Sequence, residues 1–233
     1  VAERDAAKDK IRRAPASLIV AGPAHGAVMA ALQNRCFDER WSSDSVTALL
    51  SQPGVAGSLL IANESQVPLG YGLLRCVADE AEILTVGIDP HFRRAGHGRR
   101  LLDNMIARAR AAGLVHLVIT GTSVEGSEQA AQLAATDRAF LSATAGVHPH
   151  HAHDLTAAGL PALRDLLDHP SVRAVGECGL DHYYDHSPRD AQRTAFAEQI
   201  QLAHERKLPL VIHTRDAWAD TFDVLRAEGV PDQ

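Results

Sequence analysis

From residue 115 onward the chain alternates short apolar runs with helical repeats, and this rhythm constrains the fold more than any other feature. Residues 115–120, 141–147, 172–176 and 208–212 have the composition of buried strands. Residues 127–135, 160–167, 190–206 and 217–228 place apolar side chains at helical spacing. A strand followed by a whole helix returns in the same direction, so the pattern predicts βα units and a parallel sheet. About four such units are half of the eight that close a (βα)8 barrel of TIM type. The two outer strands of a half barrel keep unpaired backbone groups, so self-association through exposed sheet edges is expected. Continuation of an N-terminal sheet onto residues 115–120 is the expected cover for one of them.

The N-terminal part has a different grammar. Residues 1–16 form a charged tail, helical or frayed, to which no function is assigned. A strand is predicted over 17–21, followed by helices over 23–36 and 42–51, with Ser42 or Ser43 as the second helix's N-cap. Three strand-like runs follow, at 58–62, 69–77 and 82–88, the first two joined by the short polar turn of a hairpin. Residues 96–112 then read as a helix with Leu101, Leu102, Met105, Ile106 and Ala109 on one face. The domain division expected is a tail at 1–16, a module at 17–112 and a second module at 113–233, with the helix at 99–112 shared at the seam.

Composition excludes several classes. The net charge of −6 gives no general attraction to nucleic acid, so any phosphate affinity must come from a local site. Three dispersed cysteines, Cys36, Cys76 and Cys178, include no CxxC pair and argue against a disulfide framework or zinc knuckle. A reducing, cytoplasmic setting is expected. No apolar run approaches the ~20 residues of a membrane helix, so no membrane partner is expected.

Two constellations carry chemistry. Arg93-Arg94-Ala95-Gly96-His97-Gly98 lies between a strand and a helix. Glycines there let a ligand approach the backbone, and the unpartnered N–H groups of a helix start favour an anion. The alternative is a positively charged helix start with a glycine turn. Farther on, Gly121-Thr-Ser, Gly146-Val-His-Pro-His150, Val175-Gly-Glu-Cys-Gly-Leu-Asp181 and Val211-Ile-His-Thr-Arg-Asp216 follow in order. Each falls at the C-terminal end of a predicted strand, where parallel sheets place their active sites. Glu177 there either caps a turn or binds a divalent metal, and His213 is either a core histidine or a ligand. His148 and His150 belong to a histidine-rich loop that also holds His151 and His153. Arg215 either contacts phosphate or is a solvated charge, and Tyr183 or Tyr184 either stacks on a base or packs.

The second series, over about residues 107–229, resembles the TatD family, (βα)8-barrel metal-dependent hydrolases acting on DNA. That resemblance implies divalent-metal ligands at Glu177 and His213 (Mg, Mn or Zn), with Glu177 catalytic. It also implies phosphate-binding roles for His148, His150 and Arg215, with DNA or another phosphodiester as substrate. The family's first-strand His-x-His and its later His and Asp have no counterpart in these residues, so a reduced ligand set is expected. Residues 17–112, with Ala81-Glu-Ile-Leu-Thr-Val-Gly-Ile-Asp-Pro90 and Cys36-Phe-Asp-Glu-Arg-Trp41, resemble the GNAT acetyltransferases, in particular the ribosomal-protein alanine branch. That likeness implies acetyl-CoA as cofactor, held by the backbone at Val86 and Ile88 and by Arg93, Arg94, Gly96 and Gly98. The family's Asn-bearing strand and Tyr-bearing helix are not matched after residue 120, so the general acid is missing from this truncated module. The readings carried forward are thus a TatD-like hydrolase, an acetyl-CoA-dependent N-acetyltransferase, and an inactive chimera or fragment that only binds CoA or metal.

Overall fold

In a computed structural model, the structure describes residues 11–12, 14–38, 40–78, 80–155 and 159–230. Most of the expected tail at 1–16 lies outside the described residues. The chain divides into two compact units, residues 1–115 and 116–233. The strands among the described residues form two separate four-stranded sheets, one in each unit. No helix among the described residues is long and apolar enough to cross a membrane.

The N-terminal unit is a mixed α/β module. Strands β1 (Ala16–Ala21), β2 (Val55–Ala62), β3 (Pro68–Val77) and β4 (Glu80–Ile88) pair antiparallel in that order. Helices α1 (Gly26–Cys36) and α2 (Ser43–Leu50) supply Met29, Leu32, Val46 and Leu50 to a core that also holds Leu59, Tyr71 and Leu73. Ser42 caps α2 by accepting the N–H of Ser45, which satisfies one of the orphan donors at the helix start. Helix α3 (His97–Ala111) buries Leu101, Met105 and Ala109, while Leu102 and Ile106 of its expected apolar face are only half-buried.

The C-terminal unit is a curled parallel sheet, a half barrel in the order β5 (Leu117–Ile119), β6 (Leu141–Ala145), β7 (Val172–Asp181), β8 (Leu210–Arg215). Its helices are α4 (Val124–Ala135), α5 (Gly159–Leu166), α6 (Arg189–Arg206) and α7 (Trp218–Glu228). Phe196 and Ile200 of α6 pack with Cys178, Leu180 and Val224 in one core cluster. Asp190 in its first turn and His204 and Arg206 in its last complement the helix dipole.

Three expectations are corrected. Strand β5 is three residues, with Val115 85% exposed outside it, because Gly113 at φ +93° turns the chain before the ladder begins. It pairs with β6 in the second sheet, so the N-terminal sheet does not continue onto residues 115–120. Strand β7 runs to Asp181, five residues beyond the expected end at Gly176, because β8 pairs with it from Val175 to Asp181. Gly176 and Gly179 both lie inside this ladder.

Candidate functional site

The C-terminal half of β7 builds the site. Opposite β8, Gly176 faces Val211 and Cys178 faces Ile212, which leaves Glu177 as an extra, bulged residue. A bulge inserts one residue into a ladder and re-aims its side chain, a device common beside active sites. The N–H of Glu177 donates to the carbonyl of Gly121 at 2.8 Å, fixing the bulge against the end of β5. Gly176 and Gly179 have φ of +140° and +136°, and a Cβ on either would collide with the carbonyl oxygen of Val211 or His213 on β8. Only glycine permits so close an approach in that conformation.

Three candidate groups meet there. Nδ1 of His213 lies 3.2 Å from Oε1 of Glu177 and 3.1 Å from Nε2 of His148. One ligand atom from each of the three residues can be chosen so that all lie within 4.8 Å of one another. Two ligands on one ion, with bonds of 2.0–2.2 Å, are separated by about 3 Å, so Glu177 and His213 have the spacing of a shared site. His148 fits differently. Its Nδ1 accepts the backbone N–H of His150 at 3.2 Å, which leaves the proton of the neutral ring on Nε2, facing the site as a donor.

Asp181, the last residue of β7, organises the histidines. It is fully buried, and its Oδ1 accepts the backbone N–H groups of Tyr183 and Tyr184 at 3.0 and 2.9 Å. Its Oδ2 receives Nε2 of His150 at 2.9 Å and Nε2 of His213 at 3.0 Å. Burial pushes this carboxyl up, but the Tyr184 N–H, His150, His213 and the Tyr183 N–H outweigh it and hold it well below its ordinary value. The hydrogen bond between His213 and Glu177 lowers the carboxyl and raises the imidazole, and Asp181 raises it further. Nδ1 of His213 thus has the Glu177 carboxylate on one side and the Nε2 donor of His148 on the other, while its Nε2 faces Asp181. Burial, followed by the neighbouring His213, pushes His148 down to about 4, so this ring is neutral at pH 7.

The other expected residues lie around this cluster. The His150 ring meets Tyr184 edge-on, with centroids 5.5 Å apart. Arg215, at the end of β8, places its guanidinium 4.1 Å from the Tyr183 ring and 4.5 Å from the Tyr184 ring. Tyr183 is 58% exposed, so its ring is not a core side chain. In the N-terminal unit Val86, Ile88, Arg93, Arg94, Gly96 and Gly98 all line one cavity of about 360 Å³, with Phe37 and Phe92. Gly96 is the N-cap of α3 at φ +80°, and Arg93 donates to the carbonyl of Ile88 at 3.1 Å.

Sequence reasoning gave no role to Asp181, Gln192 or Gln199. A signal existed for the glutamines: they occupy core positions in the helical repeat of 190–206, where an unpaired amide is costly. Asp181 carried only the weaker signal of an aspartate ahead of two residues whose N–H groups it caps.

Two family models match the chain, and their matches overlap over residues 88–140. The Acetyltransferase (GNAT) family model matches residues 27–140. The chain is 45% identical over 115 residues to a 3'-5' ssDNA/RNA exonuclease TatD from a Pantoea species, a match covering 49% of this chain and 44% of that protein. It is 47% identical over 134 residues to the exonuclease of the same name from Cronobacter sakazakii, covering 58% and 49%. The chain thus spans about half the length of the curated relatives it matches. Among solved structures, a TatD homologue from Escherichia coli K12 superposes with a TM-score of 0.53 and 27% identity, covering 61% of this chain and 53% of that one. The TatD related DNase model matches residues 88–233, more than half of the chain, which therefore belongs to the TatD related DNase family.

Proposed function

We propose that the C-terminal unit hydrolyses phosphodiester bonds with a divalent metal held by Glu177 and His213. The observation that carries this reading is the 3.2 Å approach of Glu177 Oε1 to His213 Nδ1, with Asp181 behind the ring. A carboxylate on the far nitrogen of a ligating histidine fixes its orientation and raises its basicity. When bound, such an ion activates water and offsets the charge of the phosphodiester. His148 presents a neutral Nε2–H to a phosphate oxygen. Arg215 adds a fixed positive charge and Tyr183 an exposed ring on which a base can stack. The substrate class is single-stranded DNA or RNA, by analogy with the names of the TatD relatives. The setting is a reducing cytoplasm, consistent with the three unpaired thiols.

With two side-chain ligands the remaining positions fall to water, so affinity is weak and nuclease activity of this chain alone is low. Calorimetry with Mn²⁺ tests the site: weak binding should vanish in Glu177→Ala and His213→Ala. Tight stoichiometric binding that survives Glu177→Ala would place the metal elsewhere and overturn the reading.

A second reading has its own observation, the convergence of six expected residues on the cavity at the start of α3. There the N-terminal unit binds acetyl-CoA, its pyrophosphate on the N–H groups around Gly96 and Gly98 and its pantetheine arm along Val86 to Ile88. Helix α4 (Val124–Ala135) contains no tyrosine to act as acid, so binding without turnover is expected. Acetyl-CoA should raise the melting temperature and Gly98→Glu should remove that shift. An unchanged melting curve at saturating acetyl-CoA would eliminate it.

A further inference from the structure

Helix α6 carries two glutamines seven residues apart on its buried face, Gln192 and Gln199, among Ala195, Phe196, Ile200 and Ala203. Both are fully buried. Burying an amide is tolerable only when its donors and acceptor are all matched, and here they are. The N–H of Val147 donates to Oε1 of Gln199 at 2.7 Å, and Nε2 of Gln199 donates to the carbonyls of Val147 at 3.1 Å and Ala195 at 3.0 Å. The N–H of Asp181 donates to Oε1 of Gln192 at 2.8 Å, and Nε2 of Gln192 donates to the carbonyls of Asp181 at 3.1 Å and Ser187 at 2.8 Å.

Each amide therefore grips both the N–H and the carbonyl of one residue, as a neighbouring strand would. The residues gripped are telling. Val147 lies beyond the end of β6 and immediately precedes His148, whose ring faces His213. Asp181 ends β7 and holds both His150 and His213. The ladder no longer positions Val147, and α6 takes over where the chemistry begins. Methionine or leucine at 192 and 199 would fill similar volume but would strip the N–H and carbonyl of Val147 and Asp181 of these partners, so the amides serve the strand ends and not the helix that carries them.

We propose that Gln199 and Gln192 are positioning residues that set the spacing of His148 and of the Asp181–His213 pair, so that one rigid helix registers both sides of the site. The inference rests on the metal-site reading above. The test uses the full chain with Gln199→Met and Gln192→Met, and with Gln201→Met as a control at an exposed position of the same helix. Zn²⁺ affinity is measured by calorimetry well below the melting temperature, together with imidazole resonances of His148 and His213 in the metal-free protein. Each core variant should weaken Zn²⁺ binding about tenfold or more, the scale of a lost supporting contact at a metal site. Each should also shift those imidazole resonances, while Gln201→Met does neither. Folded variants with a lowered melting temperature but unchanged affinity and resonances would reduce the glutamines to structural roles and overturn the proposal. Wild-type protein that binds no Zn²⁺ would refute the metal-site reading, and the metal-free resonances would still decide the positioning role. Should both variants fail to fold, amide exchange of the wild type decides it: Val147 and Asp181 N–H must be protected like strand interiors, and fast exchange at either refutes the clamp.

Discussion

Replacing Asp181 by asparagine tests the site with almost no change in shape. The two oxygens of Asp181 have different company: Oδ1 takes two backbone N–H groups, and Oδ2 faces Nε2 of His150 and of His213. An asparagine must keep its carbonyl on the backbone side, because its amide cannot face two donors. Its NH2 group then points at the two histidines, at positions now 2.9 and 3.0 Å from Oδ2. His213 can accept that donor only with its proton on Nδ1, the nitrogen 3.2 Å from Glu177. A protonated Nδ1 cannot bind metal. Loss of a supporting partner behind a ligating histidine costs about 10- to 100-fold in affinity, or about 1.4–2.7 kcal/mol. Calorimetry with Zn²⁺ at pH 7 reads that loss, and long-range ¹H–¹⁵N spectra of the imidazoles read the tautomer. A variant that binds Zn²⁺ as tightly as the wild type, with His213 still protonated on Nε2, would refute the reasoning.

Other predictions follow from different parts of the chain. Tyr71 is buried and its hydroxyl bonds to Gln33 and Thr85; burial pushes its pKa from 10.0 to about 12. The folded state then holds the proton more tightly than the unfolded one, so stability is full below pH 10 and falls as pH rises towards 12, by about 3 kcal/mol at most. Ultraviolet titration should show a late tyrosinate step that Tyr71→Phe removes, and its absence would count against the burial argument. Phe196→Ala should destabilise the C-terminal unit by about 3–5 kcal/mol, since the ring is fully buried beside Cys178, Leu180 and Ile200. A loss under about 1 kcal/mol in urea denaturation would mean the core collapses around the gap. The edge strands β5 and β8 expose Val118, Val211 and Ile212, which predicts self-association at micromolar concentration. Sedimentation velocity showing a stable monomer there would contradict it.

The alternation of strands and helices after residue 115 was legible because period is a local property, and it located every element of the parallel sheet. Where β7 ends was not, since the pairing with β8 that carries it to Asp181 is a contact between segments over 30 residues apart. The approach of His148 to His213 joins positions 65 residues apart, and their separation is set by packing that no local pattern encodes. The role of Asp181 was hidden for a related reason: its four partners come from three places in the chain. In the N-terminal unit the start of α3 was easier, because two glycines and an open helix start lie within one turn of sequence.

The shared oxygen of Asp181 has a thermodynamic consequence. His150 and His213 compete for the electron density of one atom, so neither ring can change its hydrogen bond without altering the other's. A ligand that draws His150 away leaves Oδ2 more available to His213 and makes that imidazole a stronger base. Reciprocity then requires that whatever binds His213 alters affinity at His150 by the same factor. Two events at one carboxylate oxygen are thereby linked.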